Sequence, residues 1–276
     1  MARFTRKNQG SSHSYYLDGD RIPGVTTVIG ILDKPALVGW AARETAIYAD
    51  ENWDRLAAMR SGDRIQALEK ARFNTNRKAV VKGNRIHNLG EQLAHGKTVE
   101  VPLEIRSQVE AYARFLDSWD LQVVATETPV CSTEWAYGGT FDLIAESPRF
   151  GRALMDIKTG KGVYDEVALQ LNAYAACDLR LVAAEVVGPR GGVKVEWHEA
   201  PMVDVECLRV AHVLEDTVEM VPVQMDASIG ETFLHMLEIF ESWTKRVGWD
   251  YRDDESYDPP VGKPIWPEDA PAAVTP

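Results

Sequence analysis

Asp142, Asp156 and Lys158 are the residues of this chain whose types and spacing could do chemistry. They lie in Gly138-Gly139-Thr140-Phe141-Asp142-Leu143-Ile144 and in Ala153-Leu154-Met155-Asp156-Ile157-Lys158-Thr159-Gly160. Both stretches are short apolar runs in which charged residues alternate with hydrophobic ones. Ser147-Pro148-Arg149-Phe150-Gly151 between them has turn chemistry, so the pattern predicts an antiparallel β-hairpin. A turn centred on Arg149 puts Asp142 opposite Asp156 and Thr140 opposite Lys158. The two-residue side-chain period then places Asp142, Asp156 and Lys158 on one face, with Phe141, Leu143, Met155 and Ile157 on the other. Like charges facing each other at a Cβ separation of about 5 Å repel. A divalent cation held between the carboxylates, with the ammonium beside it, removes the conflict.

Such a cluster has the parts for phosphodiester hydrolysis. A hard cation such as Mg²⁺ prefers oxygen ligands, takes one or two carboxylates and keeps its other positions for water and phosphate oxygens. Water bound to it is a better nucleophile, and the ion offsets charge developing on the phosphate. Lys158 would orient that water or stabilise the added negative charge. The alternative is a charged, solvated hairpin face in which Lys158 compensates the acids.

Further residues extend the pattern. Asp142, Asp156-Ile157-Lys158 and Gln170-Leu171-Asn172-Ala173-Tyr174, preceded by Gly83-Asn84-Arg85-Ile86-His87, together resemble the PD-(D/E)XK nuclease superfamily in its RecB-like branch. The likeness spans roughly residues 83 to 174, and the branch includes phage-encoded and CRISPR-associated RecB-like exonucleases. It implies a restriction-endonuclease-like mixed β-sheet flanked by helices and a bacterial or phage-encoded DNA exonuclease dependent on Mg²⁺ or Mn²⁺. By the same resemblance, His87 contributes to the metal site, Gln170 and Tyr174 lie against it, and Glu127 is the candidate for an extra acid. Asp142 and Asp156 would hold the cation, the Ile157 carbonyl would add an oxygen, and Lys158 would assist the attacking water. A catalytically silent nucleic-acid-binding module and a structure-specific endonuclease on the same fold are the other readings.

Composition limits the alternatives. With 276 residues and 45% hydrophobic content, the chain can bury one substantial core, or a core and a smaller helical unit. No apolar run approaches the roughly 18 residues of a membrane span, and Met1-Ala2-Arg3-Phe4-Thr5-Arg6-Lys7 does not resemble a signal peptide, so a cytoplasmic protein without a membrane partner is expected. Cys131, Cys177 and Cys207 are too few and too scattered for a disulfide framework, a zinc site or an iron–sulfur cluster. The net charge of −12 argues against indiscriminate binding to DNA. The charge is uneven, however. Arg60, Arg64, Lys70, Arg72, Arg77, Lys78, Lys82 and Arg85 stand against Asp63 and Glu69, which suits either a basic groove or a solvated helix face.

The elements that must position these residues follow in order. Asp18-Gly19 marks a tight hairpin. Helices are expected over Leu37–Asp50, over Trp53–Arg72 with a break at Ser61-Gly62, and over Gly83–Gly96, where Ile86, Leu89, Gly90 and Leu93 form the buried stripe. Pro102–Asp120 reads as a helix and Leu121–Trp135 as a strand. Val163–Cys177 reads as a helix that points Gln170 and Tyr174 the same way. Leu179–Val187 and Gly192–Glu199 read as strands, and Asp204–Val221 and Ser228–Val247 as helices. The expected division is an N-terminal hairpin and helical layer over 1–82, a nuclease core over 83–249, and an acidic, Pro-rich tail over 250–276 expected to be disordered.

Overall fold

Asp18 and Gly19 adopt φ of 51° and 97°, the left-handed pair that a two-residue hairpin turn requires, and so fold the N-terminus onto itself. The result is a three-stranded antiparallel sheet of β1 (Phe4–Gln9), β2 (Ser12–Leu17) and β3 (Asp20–Ile22). The computed structural model describes residues 3–9, 12–94, 99–187 and 193–244; within the 61–94 helix, several side chains, including that of His87, lie outside the description. The 250–276 tail lies outside the described residues as well.

Helices α1 (Val25–Ile29), α2 (Pro35–Glu51), α3 (Trp53–Ala57) and α4 (Ser61–Ala94) come next. Pro35 starts α2, where its missing N–H has no helical partner to lose. The break expected at Ser61-Gly62 falls just before it, between α3 and the start of α4 at Ser61. From there α4 runs without interruption through Gly83, so the boundary drawn at 82/83 falls inside one helix. Its 34 residues span about 50 Å at 1.5 Å per residue. A 3₁₀ turn at Leu103–Ile105 leads into α5 (Arg106–Ser118), which buries Val109, Tyr112, Phe115 and Leu116 at helical spacing.

The main sheet contains β4 (Gln122–Ser132), β5 (Tyr137–Ser147), β6 (Gly151–Lys158), β7 (Leu179–Val187), β8 (Val193–Pro201), β9 (Cys207–Val213) and β10 (Val218–Val223). Its spatial order is β10-β9-β6-β5-β4-β7-β8. Neighbours are antiparallel except for β6 and β9, which run parallel. Helix α6 (Glu166–Ala175) lies between β6 and β7 in the chain, and α7 (Ala227–Ile239) ends in a π turn at Phe240–Thr244. One face of the sheet packs with α1, α6 and α7 through Val28, Ile144, Leu154, Leu171, Val210 and Phe233. Another cluster joins α4 and α5 to Leu143, Met155, Ile157 and Val213. The small sheet packs Phe4, Tyr15, Leu17 and Ile22 against Cys131 and Leu181. Leu154 is fully buried, as are most sheet residues near it, and each such side chain contributes about 1.5–3 kcal/mol. No described helix is long and apolar enough to cross a membrane.

Residues 204–221 correct the sequence reading: the helix expected there is β9 and β10. Strand β9 is central and buried on both faces, with Leu208 and Val210 in one cluster and Ala211 and Val213 in the other. A strand buried on both sides loses its polar–apolar alternation, and Cys207, Ala211, Leu214, Val218 and Val221 then happen to fall at helical spacing.

Candidate active site

The predicted hairpin register holds. Leu143 faces Met155, Ala145 faces Ala153 and Ser147 faces Gly151 across the expected turn. Leu143–Met155 is the last backbone pair of this ladder. One step beyond it, Asp142 Oδ2 accepts the Ile157 N–H at 2.8 Å, so a side-chain carboxylate takes the place of a ladder carbonyl. The strands part there. On its other edge β6 stays paired with β9 as far as Lys158, opposite His212. N–H and C=O of one strand residue point toward the same neighbour, so the Ile157 carbonyl also leaves the strand on the side of the split.

Phe141 departs from the expected face. It packs with α6 and α7, whereas Leu143 packs with α4 and α5, although the two are only two residues apart. A matching distortion lies on β4. Thr126 pairs with Leu143 and Thr128 with Phe141, and Glu127 between them has φ of 42°. A non-glycine residue in that region costs on the order of 1 kcal/mol. Thr128 Oγ1 bridges the irregularity by donating to Thr126 O at 2.8 Å. Half-buried Glu127 therefore stands level with Asp142 at the point where the sheet is distorted.

Asp156 is 3% exposed, and a carboxylate so buried requires partners. Its Oδ1 accepts from Lys158 Nζ and from Gln170 Nε2, each at 3.0 Å. The ammonium also lies 2.8 Å from Oδ2, yet Oδ2 is buried without a properly directed hydrogen bond among the described residues. The repulsion expected between Asp142 and Asp156 is thus answered within the chain by a backbone N–H, an amide and an ammonium. Gln170 serves Asp156 directly, and a hydrogen bond to a charged group of this kind contributes about 1.5–3 kcal/mol.

Tyr174, one helical turn after Gln170, is 3% exposed. Burial first, then Tyr15, Asp142 and Asp156, push its phenol well above the ordinary range. Its ring lies over Gly139, where a Cβ would collide with Cε1. On β5 the neighbouring Gly138 receives Tyr15, whose Cγ would be 3.0 Å from a Cβ. The paired glycines therefore let two aromatic rings approach the strand. Burial, with the Asp142 carboxylate second, likewise raises the phenol of Tyr112 on α5.

Three of the other residues bear on the site differently. His87 lies on α4, and its side chain is outside the described residues. One turn earlier, a Cβ on Gly83 would sit 2.9 Å from Thr159 Oγ1, which brings α4 close to the end of β6. His212 was not singled out because its strand read as a helix. Its Nε2 lies 2.9 Å from Gly160 O, which ties the loop after Lys158 to β9.

The donor set at the split is oxygen-rich: two carboxylates, the Ile157 carbonyl and a buried Asp156 Oδ2 without a directed partner. That suits a hard divalent cation, which needs only one or two protein carboxylates. Among the described residues, no group of three His, Cys, Asp or Glu side chains comes together as a metal cluster. No protein-family model matches the chain, and no curated protein matches it either.

Proposed function

We propose that the chain is a divalent-cation-dependent nuclease that hydrolyses DNA phosphodiester bonds, on a restriction-endonuclease-like core. The observation that carries this reading is the meeting of Asp142, Asp156 and Lys158 where the β5–β6 ladder breaks, with Gln170 fixing one of the carboxylates. A purely structural hairpin gains nothing from a buried carboxylate at that point, because replacing a buried ion pair by apolar packing is often neutral or stabilising. The resemblance to RecB-like enzymes favours an exonuclease.

Asp142, Asp156 and the Ile157 carbonyl are the groups that would hold the cation, with His87 the further ligand that the resemblance implies. Mg²⁺ or Mn²⁺, when bound, supplies a Lewis acid for the phosphate and a water of lowered pKa. Gln170 fixes the Asp156 carboxylate through Oδ1 and so keeps Oδ2 oriented. The Ile157 N–H does the same for Asp142. Lys158, half-exposed at the end of β6, donates to the attacking water and offsets charge that grows on the phosphate.

End-labelled linear DNA and closed circular DNA, each incubated with EDTA, Mg²⁺ or Mn²⁺, test the reading. Linear DNA should be degraded only with metal, and the circle should survive. Degradation that persists after rigorous chelation, or no cleavage with any divalent ion, would overturn the proposal. Cleavage of the circle would keep the chemistry and make the enzyme an endonuclease.

A further inference from the structure

The N-terminal sheet is joined to the site strand by polar contacts as well as packing. Arg6 on β1 and Tyr15 on β2 are direct cross-strand partners. Both side chains reach one atom: Arg6 Nη1 donates to Thr140 Oγ1 at 3.3 Å, and Tyr15 OH lies 2.9 Å from the same oxygen. Thr140 is two residues before Asp142, beyond the last β5–β6 pair and about 7 Å along the strand. The attachment continues at Gly138, whose N–H donates to Pro23 O at 3.0 Å. Tyr15, Asp142 and Asp156 all act on the Tyr174 phenol, and Glu127 acts on Tyr15, so these groups share one electrostatic neighbourhood.

Arg6 is unusual within that neighbourhood. Its hydrogen-bond partners among the described residues are neutral, Thr140 Oγ1 and, through Nε at 3.1 Å, Asn8 Oδ1. Among the described residues it forms no ion pair. Arg3, just before the same strand, is by contrast neutralised by Asp18 at 3.0 Å. The guanidinium has five N–H donors in a planar fork, and two neutral acceptors orient it without cancelling its charge. A half-buried guanidinium oriented by neutral acceptors, on a threonine two residues before Asp142, matches the bidentate recognition of a phosphate. A latch that only held the sheet in place would need no charge there.

We propose that Arg6 is a substrate-binding residue of the nuclease site, taking a backbone phosphate of the bound strand next to the one being cleaved. Tyr15 and Thr140 are positioning residues that aim it. The inference rests on the nuclease reading above and makes the small N-terminal sheet a working wall of the site. Ser, Thr and Tyr hydroxyls alone would give a contact insensitive to salt, whereas a guanidinium on a phosphate releases a counterion and makes binding depend on ionic strength.

Binding of labelled DNA in Ca²⁺, measured by fluorescence anisotropy across a salt series, tests this with the full chain, Arg6→Ala, Arg6→Lys and Tyr15→Phe. Arg6→Ala should weaken binding about 10-fold and lower the slope of log K against log salt by roughly 0.7–0.9, the value of one phosphate contact. Arg6→Lys should restore the slope but only part of the affinity, because the fork is lost. Tyr15→Phe should keep the slope and weaken binding less. In Mg²⁺ turnover, Arg6→Ala should raise KM more than it lowers kcat. Thermal melts of each variant separate binding from folding, and Arg6→Lys carries the test if Arg6→Ala does not fold. A wild-type chain that binds DNA while Arg6→Ala binds equally well with an unchanged slope would overturn this inference alone. An Arg6→Lys variant whose slope stays reduced would do the same. A wild-type chain that binds no DNA would sink the nuclease reading and this inference together.

Discussion

The two ends of the β5–β6 hairpin are built from the same strands by different means. At the closed end the backbone does the pairing, from Leu143–Met155 to Ser147–Gly151, and Ala145 and Ala153 are fully buried between the flanking helices. Polarity there points outward: Glu146 and Arg152 form an ion pair at 3.3 Å at the surface. At the open end the ladder is replaced by side chains. Asp142 takes the Ile157 N–H, and Asp156 is buried with its charge turned inward onto Lys158 and Gln170. A strand pair that gives up ladder bonds places polar groups where its strands part, and under the proposed reading that is where a substrate would meet them.

The largest expected effect lies at the open end. Lys158→Ala leaves both carboxylates in place but removes the donor for the water and the phosphate. Cleavage should fall on the order of 10²-fold or more, as for removal of one preorganised electrostatic donor. DNA binding in Ca²⁺ should survive. Glu146→Ala at the closed end removes only an exposed pair, so stability should change by less than about 1 kcal/mol and the cleavage rate not at all. Equal rates for wild type and Lys158→Ala would show the two ends to be alike, and the active site would have to be sought elsewhere.

Asp142 sharpens the comparison because it has two separable tasks. Asp142→Asn keeps an oxygen that can accept from the Ile157 N–H, so the melting temperature should stay near wild type while metal-dependent cleavage is lost. Asp142→Ala also strands that N–H, at a cost of about 1–3 kcal/mol in stability. Chemical denaturation of the two variants beside a nuclease assay distinguishes them. Asn and Ala variants of equal stability would mean that the carboxylate does not hold the strand. Asp156→Ala belongs with the second class. It leaves Gln170 and Lys158 without their shared acceptor, so it should destabilise the fold, the reverse of what relief of carboxylate repulsion alone would give.

How much of this could be read in advance depended on how local each signal was. The hairpin register and the turn at Ser147–Gly151 follow from alternation and turn chemistry inside twenty or so residues, and they hold from Leu143–Met155 to the turn. Gln170 meeting Asp156 follows from helical spacing once α6 is placed over the sheet. The sign of the Asp142–Asp156 interaction did not follow, because the N–H that answers Asp142 belongs to a residue whose own burial hides it in the pattern. Phe141 could not be assigned to its face, since the reversal coincides with a backbone distortion at Glu127 on the neighbouring strand. Residues 204–221 misled for the reason that makes β9 important: a strand buried on both faces has no alternation to read. Its β-branched Val210 and Val213 were the available signal.

Gly139 tests whether the open end needs the close approach of α6. A methyl group there meets the Tyr174 ring, and overpacking of this kind costs about 1–3 kcal/mol. Gly138→Ala should cost less, since its nearest neighbours, Tyr15 Cγ at 3.0 Å and Val130 O at 3.3 Å, lie at the edge of tolerable distance. If the cause is the ring, Tyr174→Leu should recover much of the loss in the Gly139→Ala background. A double-mutant cycle with no coupling between the two positions would assign the cost of Gly139→Ala to the backbone instead.

The smallest expected effect is a titration that reports on the same side of the molecule. His13 packs edge-on against the Tyr15 ring at 5.2 Å, and its pKa is lowered from 6.5, first by partial burial and second by the Arg6 guanidinium. The folded chain therefore holds back from protonation at a pH where the unfolded chain already takes the proton. Stability contributed here is intact above the ordinary histidine value and declines as pH falls from there toward the lowered one; below the lowered value the penalty is complete and no longer changes. Arg6→Gln removes the smaller cause and leaves burial, so the His13 pKa should rise while staying below the ordinary value. NMR titration of the imidazole, assigned by comparison with His13→Gln, reads this directly. A His13 pKa that does not move in Arg6→Gln would mean that the guanidinium is not held beside Tyr15, and the arrangement on which Thr140, Tyr15 and Arg6 converge would fail with it.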